Sequence, residues 1–181
     1  MINNDCIQDV SFTDCESSHV GKLCLQLNCD SDCILVLRSM VSVMTARAGM
    51  DALQSNRVAI AVDELFANIA THAYLGKPGK VEFVTRIDNR RHSGQIQEGQ
   101  ELVFDFRDYA SIGWNGDLAE VASRILAIDE LCPGGLGLRL ICSVADHCEH
   151  KILEDGNQWR LTFNIDHGKR SKGEAHHEYR S

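Results

Sequence analysis

One stretch limits what this chain can fold into more than any other: residues 59–74, Ala-Ile-Ala-Val-Asp-Glu-Leu-Phe-Ala-Asn-Ile-Ala-Thr-His-Ala-Tyr. It is rich in helix formers, holds no Gly or Pro, and repeats apolar residues at i, i+3, i+4 and i+7, which predicts an amphipathic helix. Ile60, Phe66, Ile69 and Ala70 are expected to face a core. Glu64, Asn68 and His72 are spaced by four, so they fall on one face, one above the next. An acid, an amide and an imidazole in line are either a solvated face or one wall of a site. The rest of the chain decides between the two.

The other elements follow in order. Residues 22–28 alternate as a strand. Asp30, Ser31 and Asp32 offer N-cap chemistry for a helix over 34–48, with Ile34, Leu37, Val41 and Met44 on one stripe and Gly49 closing it. Asp51 or Ser55 caps the next helix, which carries the opening stretch and stops near Tyr74, before the turn chemistry of 76–79. Strands are predicted over 81–87 and 101–107, with 88–100 as a long polar hairpin loop. Residues 108–137 are irregular apart from a predicted helix over 117–128. A helix over 138–145 starts from the glycine run, and a hairpin of 147–153 and 158–165 turns at 154–157. Helices on one face of a mixed, mostly antiparallel sheet fit this order: an α/β (α+β) two-layer sandwich. Residues 1–18 read as a loose arm, 19–166 as the domain, and 167–181, with His176 and His177, as a charged, disordered tail.

Composition narrows the function classes. A chain of 181 residues with 44% hydrophobic and 24% charged residues suits one globular domain. A net charge of −8 argues against direct nucleic-acid binding and favours a basic protein partner. No apolar run is long enough to span a membrane and no secretory signal opens the chain, so a cytoplasmic location is expected. None of the eight cysteines forms a Cys-x-x-Cys pair. They read as small buried hydrophobes, with a metal site on Cys24, Cys29 and Cys33 as the alternative.

Three pieces carry chemistry. Asn68 offers a neutral oxygen suited to a hard cation such as Mg²⁺, and Glu64, one turn away, can take a proton from an attacking hydroxyl. Asp108 ends a strand. It is either a cap or a buried acceptor for the exocyclic amine of adenine. Gly134-Gly-Leu-Gly137 opens a helix. It is either a tight helix start or an anion site, because unpaired N–H groups and the helix dipole favour phosphate there. It is neither a Walker loop nor a Rossmann fingerprint. Trp114 and Trp159 read as core or lid packing, and His72 as a packed helix residue.

Glu64-x-x-x-Asn68 with His72-Ala-Tyr74, then Arg107-Asp108, then Gly134-Gly-Leu-Gly-Leu-Arg-Leu-Ile141, resembles the GHKL ATPase superfamily over residues 20–165. Within it, the chain is similar to the anti-sigma factor serine kinases of bacterial partner switching (RsbW-like). The resemblance implies a Bergerat-type fold that binds ATP and Mg²⁺. It implies Glu64 as general base, Asn68 as the Mg²⁺ ligand and Asp108 on the adenine. Ala110 would lie beside the base, and Gly134, Gly135, Leu136, Gly137 and Leu138 would line the triphosphate, with 111–133 as a lid. It further implies a protein-serine kinase whose partners are a sigma factor and an anti-anti-sigma (STAS-domain) antagonist, and a tendency to homodimerise. The alternative is a non-catalytic or weakly nucleotide-binding interaction module of the same fold. Two positions depart from the family pattern: Ala110 stands where a glycine is usual, and Asn157 where a threonine follows Gly156.

Overall fold

The computed structural model describes residues 21–29, 33–92, 95–123 and 136–165. The expected arm and tail, the caps at Asp30–Asp32, residues 124–133 of the expected lid, and Gly134 and Gly135 lie outside the described residues.

The first strand, β1 (Leu23–Asn28), leads to helix α1 (Cys33–Arg47) and then α2 (Ala52–Asn68). Strands β2 (Lys80–His92) and β3 (Gln95–Asp108) follow. After them come two short helices, α3 (Leu118–Ser123) and α4 (Leu136–Val144), and a hairpin of β4 (His147–Leu153) and β5 (Gly156–Ile165). The five strands lie in the order β1-β2-β3-β5-β4. Every pairing among the described strands is antiparallel. Helices α1, α2 and α4 cover one face, which is the two-layer sandwich expected from the element order. No described helix is long and apolar enough to cross a membrane.

Strand periodicity decides what faces the helices. Phe83, Phe104, Phe106, Leu161 and Phe163 point to the helical layer and are buried. Phe83 packs edge-on against Phe106 with ring centres 4.9 Å apart. The opposite face of the same strands carries Asp105, which is fully buried. It pairs with Arg86 and accepts from Arg160 Nε at 2.7 Å. An unpaired carboxylate buried there would be costly, and two guanidinium groups offset it.

Helix α2 starts on a capping box: Asp51 Oδ1 accepts from Gln54 N at 2.8 Å, and Gln54 Oε1 accepts from Asp51 N at 3.0 Å. Its core stripe is Val58, Ala61, Val62, Leu65, Phe66 and Ile69. This corrects the expectation for Ile60, which is 43% exposed. Its helical neighbours at i±3 and i±4 are Asn56, Arg57, Asp63 and Glu64, so Ile60 lies on the polar side of α2 while the stripe from Val58 to Ile69 takes the core. The helix does not end at Asn68 but widens into a π-turn, Ile69–Ala73, capped by Tyr74. The Tyr74 hydroxyl donates to the Lys80 carbonyl and accepts from Tyr109 N at 2.9 Å, which ties the end of the helix to the end of β3.

Residues 88–100, expected as a long hairpin loop, pair as strand instead. The β2–β3 ladder continues through Asn89↔Gln100 to His92↔Gln95, with a register shift between Asn89 and Arg91. Backbone pairing needs no apolar side chains, so a two-stranded ribbon can extend past the core with polar residues on both faces. A further correction lies in the last hairpin. Leu153 pairs with Gly156, so the turn is Glu154–Asp155, and β5 begins two residues earlier than expected.

Candidate functional site

The site is built where α2, the start of α4 and the ends of β3 and β5 converge. Asn68 reaches it from the first and His72 from the π-turn that continues it, Leu138 from the second, and Asp108, Asn157 and Trp159 from the strands. Together they line a cavity of about 290 Å³, at the lower end of small-molecule sites.

Asp108 is the last residue of β3, on the helix-facing side, and is fully buried. Its Oδ1 accepts from Asn157 Nδ2 at 2.9 Å and from Ala110 N at 3.1 Å. Its Oδ2 is buried and takes no hydrogen bond. Burial raises the carboxyl above its usual range, and the hydrogen bonds from Asn157 and Ala110 oppose that rise. The acid therefore presents one satisfied oxygen to the protein and one open acceptor to the cavity. A neutral donor such as a purine amine fits that acceptor.

Asn157 sits directly across the ladder from Asp108. It bridges three elements: Nδ2 also donates to the Ile112 carbonyl at 3.1 Å, and Oδ1 lies 3.4 Å from His150 Nε2. With Nδ2 committed to two acceptors, Oδ1 faces the ring nitrogen as an acceptor. Where a threonine is usual in the family, this amide orients the acid. Gly156 precedes it at φ +141°, and a side chain there would strike the Asp108 carbonyl, so only glycine lets β5 start this close. Ala110 gives its N–H to Asp108 but is absent from the cavity wall. It lines a separate cleft with Gly113, Ile152 and Gly156, so its methyl group does not crowd the cavity.

The opposite wall joins α2 to α4. A Cβ added to Gly137 would lie 2.9 Å from Glu64 Oε2, 3.0 Å from Asn68 Nδ2 and 3.2 Å from Asn68 Oδ1. The acid and the amide expected to act together thus come close to the backbone of α4 at Gly137, which a residue without a side chain allows without displacing them. Asn68 Nδ2 is a second buried polar atom without a partner on this cavity. The first turn of α4 begins at Leu136, which is 43% exposed, and Leu138 lines the cavity. Gly134 and Gly135 lie outside the described residues. His72 lines the cavity mouth from the π-turn, exposed to solvent.

Trp114 and Trp159 line an aromatic floor of the cavity, and what local sequence pattern does not announce is His150 beside them. His150 stacks on Trp159 with ring centres 4.0 Å apart, and Trp114 packs against Trp159 at 5.8 Å. Trp159 is buried and Trp114 half-buried, as core and lid packing require. Burial holds His150 below its usual value, against the contact with Asn157. The cross-strand register alone brings His150 to Trp159, so a correct hairpin turn was the signal that would have found it. Among the described residues, no three His, Cys, Asp or Glu side chains are grouped to hold a metal, which removes support for a site on Cys24, Cys29 and Cys33.

An antiparallel sheet under one helical layer, with an open buried acid facing a glycine-opened helix, defines a nucleotide-binding ATPase-type sandwich. The model of the histidine kinase-like ATPase domain matches residues 31–163, and the chain belongs to that family. No curated relative matches it.

Proposed function

We propose that this protein is an ATP-dependent protein-serine kinase that also acts as an anti-sigma factor in a partner-switching system. The observation that carries the nucleotide part is the closeness of Gly137 to Glu64 and Asn68, whose side-chain ends would lie about 3 Å from a Cβ added there, with Asn68 lining the same cavity as Asp108, whose Oδ2 has no partner. The donor set suits Mg²⁺-ATP. Asp108 would take the adenine amine, Asn68 Oδ1 the cation, and the α4 start, with Gly137 and Leu138, the phosphates.

Mg²⁺-ATP, when bound, supplies the phosphoryl group and the neutralising charge for its transfer. The chain's own residues orient and deprotonate. Asn157 holds Asp108 so that one oxygen stays open. Trp159 and Trp114 exclude water from the floor. Glu64, half-buried beside Gly137, accepts the proton of an incoming serine hydroxyl at a carboxylate oxygen. The acceptor serine belongs to an anti-anti-sigma antagonist of the STAS-domain class, and its phosphorylation frees this protein to sequester a sigma factor. That part rests on motif resemblance. The net charge of −8 is compatible with a basic partner surface.

Incubation with radiolabelled ATP, Mg²⁺ and a STAS-domain antagonist should label a serine of the antagonist, and Glu64→Ala should abolish the label. Equal labelling by Glu64→Ala refutes the assignment. The rival reading, an interaction module without nucleotide, predicts no heat on titration with millimolar Mg²⁺-ATP.

A further inference from the structure

One tyrosine outside the cavity wall is bonded to both ends of the cavity. Tyr74 N donates to the Ile69 carbonyl at 3.0 Å, which closes the π-turn directly behind Asn68. At the other end of the residue, the hydroxyl accepts from Tyr109 N at 2.9 Å and donates to the Lys80 carbonyl. In the β2–β3 ladder Val81 stands opposite Asp108, so Lys80 and Tyr109 fall on the next rung. The hydroxyl thus sits between a donor and an acceptor of that rung. Burial pushes the phenol above its usual 10.0, against the bond from Tyr109 N, so it keeps the proton it donates. The ring lies directly against Gly79, where an added Cβ would overlap it. Leu75, the next residue, takes φ 54°, a left-handed conformation uncommon for leucine. Strain of that kind persists where the surroundings over-determine a position.

We propose that Tyr74 is a positioning residue that fixes the span between Asn68 and Asp108, and so sets the cavity for a ligand held at both ends. Asn68 precedes Ile69 and Asp108 precedes Tyr109, so each is one residue from a backbone group that Tyr74 bonds. Both line the cavity. Mg²⁺-ATP is such a ligand, with its base at Asp108 and its cation and phosphates at Asn68 and Gly137, and the proposal rests on that reading. A ligand held at two ends gains from both contacts only when their separation is right. A wrong separation loses that gain without weakening either contact alone. Tyr109 has a second hold, because its hydroxyl donates to Glu82 Oε2 at 2.8 Å. Removing the Tyr74 hydroxyl should therefore loosen the span and leave the strand in place.

The test is Tyr74→Phe in the full-length protein, which keeps the ring against Gly79 and removes the hydroxyl. Mg²⁺-ATP, adenosine and Mg²⁺-tripolyphosphate are each titrated against the variant and the wild type. Mg²⁺-ATP affinity should fall about tenfold, while adenosine and Mg²⁺-tripolyphosphate, which each touch one end, should bind within about twofold of wild type. Amide exchange at Tyr109 in the ligand-free protein should quicken, because its N–H loses its acceptor. Gly79→Ala displaces the ring with its hydroxyl intact. It should give the same split between the ligands, and it covers a phenylalanine variant that fails to fold. Equal loss for all the ligands, or Mg²⁺-ATP affinity unchanged in both variants, overturns the proposal alone. A wild type that binds none of them overturns the nucleotide reading, and the proposal with it.

Discussion

Replacing Asp108 with asparagine separates recognition from stability. In Asp108→Asn the amide oxygen can keep both hydrogen bonds now made by Oδ1, from Asn157 and Ala110. The amide nitrogen takes the place of Oδ2, the buried atom that has no partner. An acceptor facing the cavity becomes a donor. Losing a hydrogen bond to a charged acceptor costs about 1.5–3 kcal/mol, and each 1.4 kcal/mol is roughly tenfold in affinity. Mg²⁺-ATP affinity should fall about ten- to hundredfold by calorimetry. GTP, whose O6 accepts where adenine donates, should gain relative to ATP. Stability should move the other way. Burial raises the Asp108 carboxyl above 3.8, so the acid favours the folded state fully only below that value, and the contribution is lost as pH rises through its folded pKa. The variant, with no charge to bury, should be at least as stable as wild type at pH 7, and the difference should close towards pH 3.8. An ATP affinity within twofold of wild type, in a variant that melts normally, would refute the reasoning.

Other consequences are equally specific. Gly137→Ala puts a methyl within 3.2 Å of Glu64 and Asn68, both movable side-chain ends. The melting temperature should change by no more than the equivalent of about 1 kcal/mol, while Mg²⁺-dependent nucleotide binding should fall at least tenfold by titration. Asp105→Ala strands Arg86 and Arg160 on a buried face and should cost about 3–5 kcal/mol in urea unfolding. Burial lowers the folded pKa of His150, so the unfolded state takes up its proton first, and stability should fall as pH drops below 6.5. His150→Phe, which keeps the ring stack on Trp159, should remove that dependence in melting curves from pH 7 downwards.

Much of this was legible because periodicity reports burial. The strand Phe104-Asp-Phe106 and the helix stripes report layers and order; the four-residue spacing puts Glu64 and Asn68 on one helix face, and the family resemblance set Gly137 opposite them. Other features depend on tertiary register, which no local pattern encodes. Taking 154–157 as the hairpin turn puts His150 opposite Leu161. The true turn at Glu154–Asp155 puts it opposite Trp159 and brings its ring to Asn157. The polar ribbon beyond Asp88 was missed because its ladder is stabilised by backbone pairing, which leaves no apolar trace. Asn157 departs from the family's threonine. Its two-donor amide instead serves Asp108 and the Ile112 carbonyl together, which a hydroxyl with one proton cannot do.

The most direct test is a crystal structure with a non-hydrolysable ATP analogue and Mg²⁺. The account predicts the adenine amine at hydrogen-bonding distance from Asp108 Oδ2, Asn68 Oδ1 on the metal, and phosphate oxygens against the Gly137 backbone. A base bound away from Asp108, or a metal that does not touch Asn68, would contradict it.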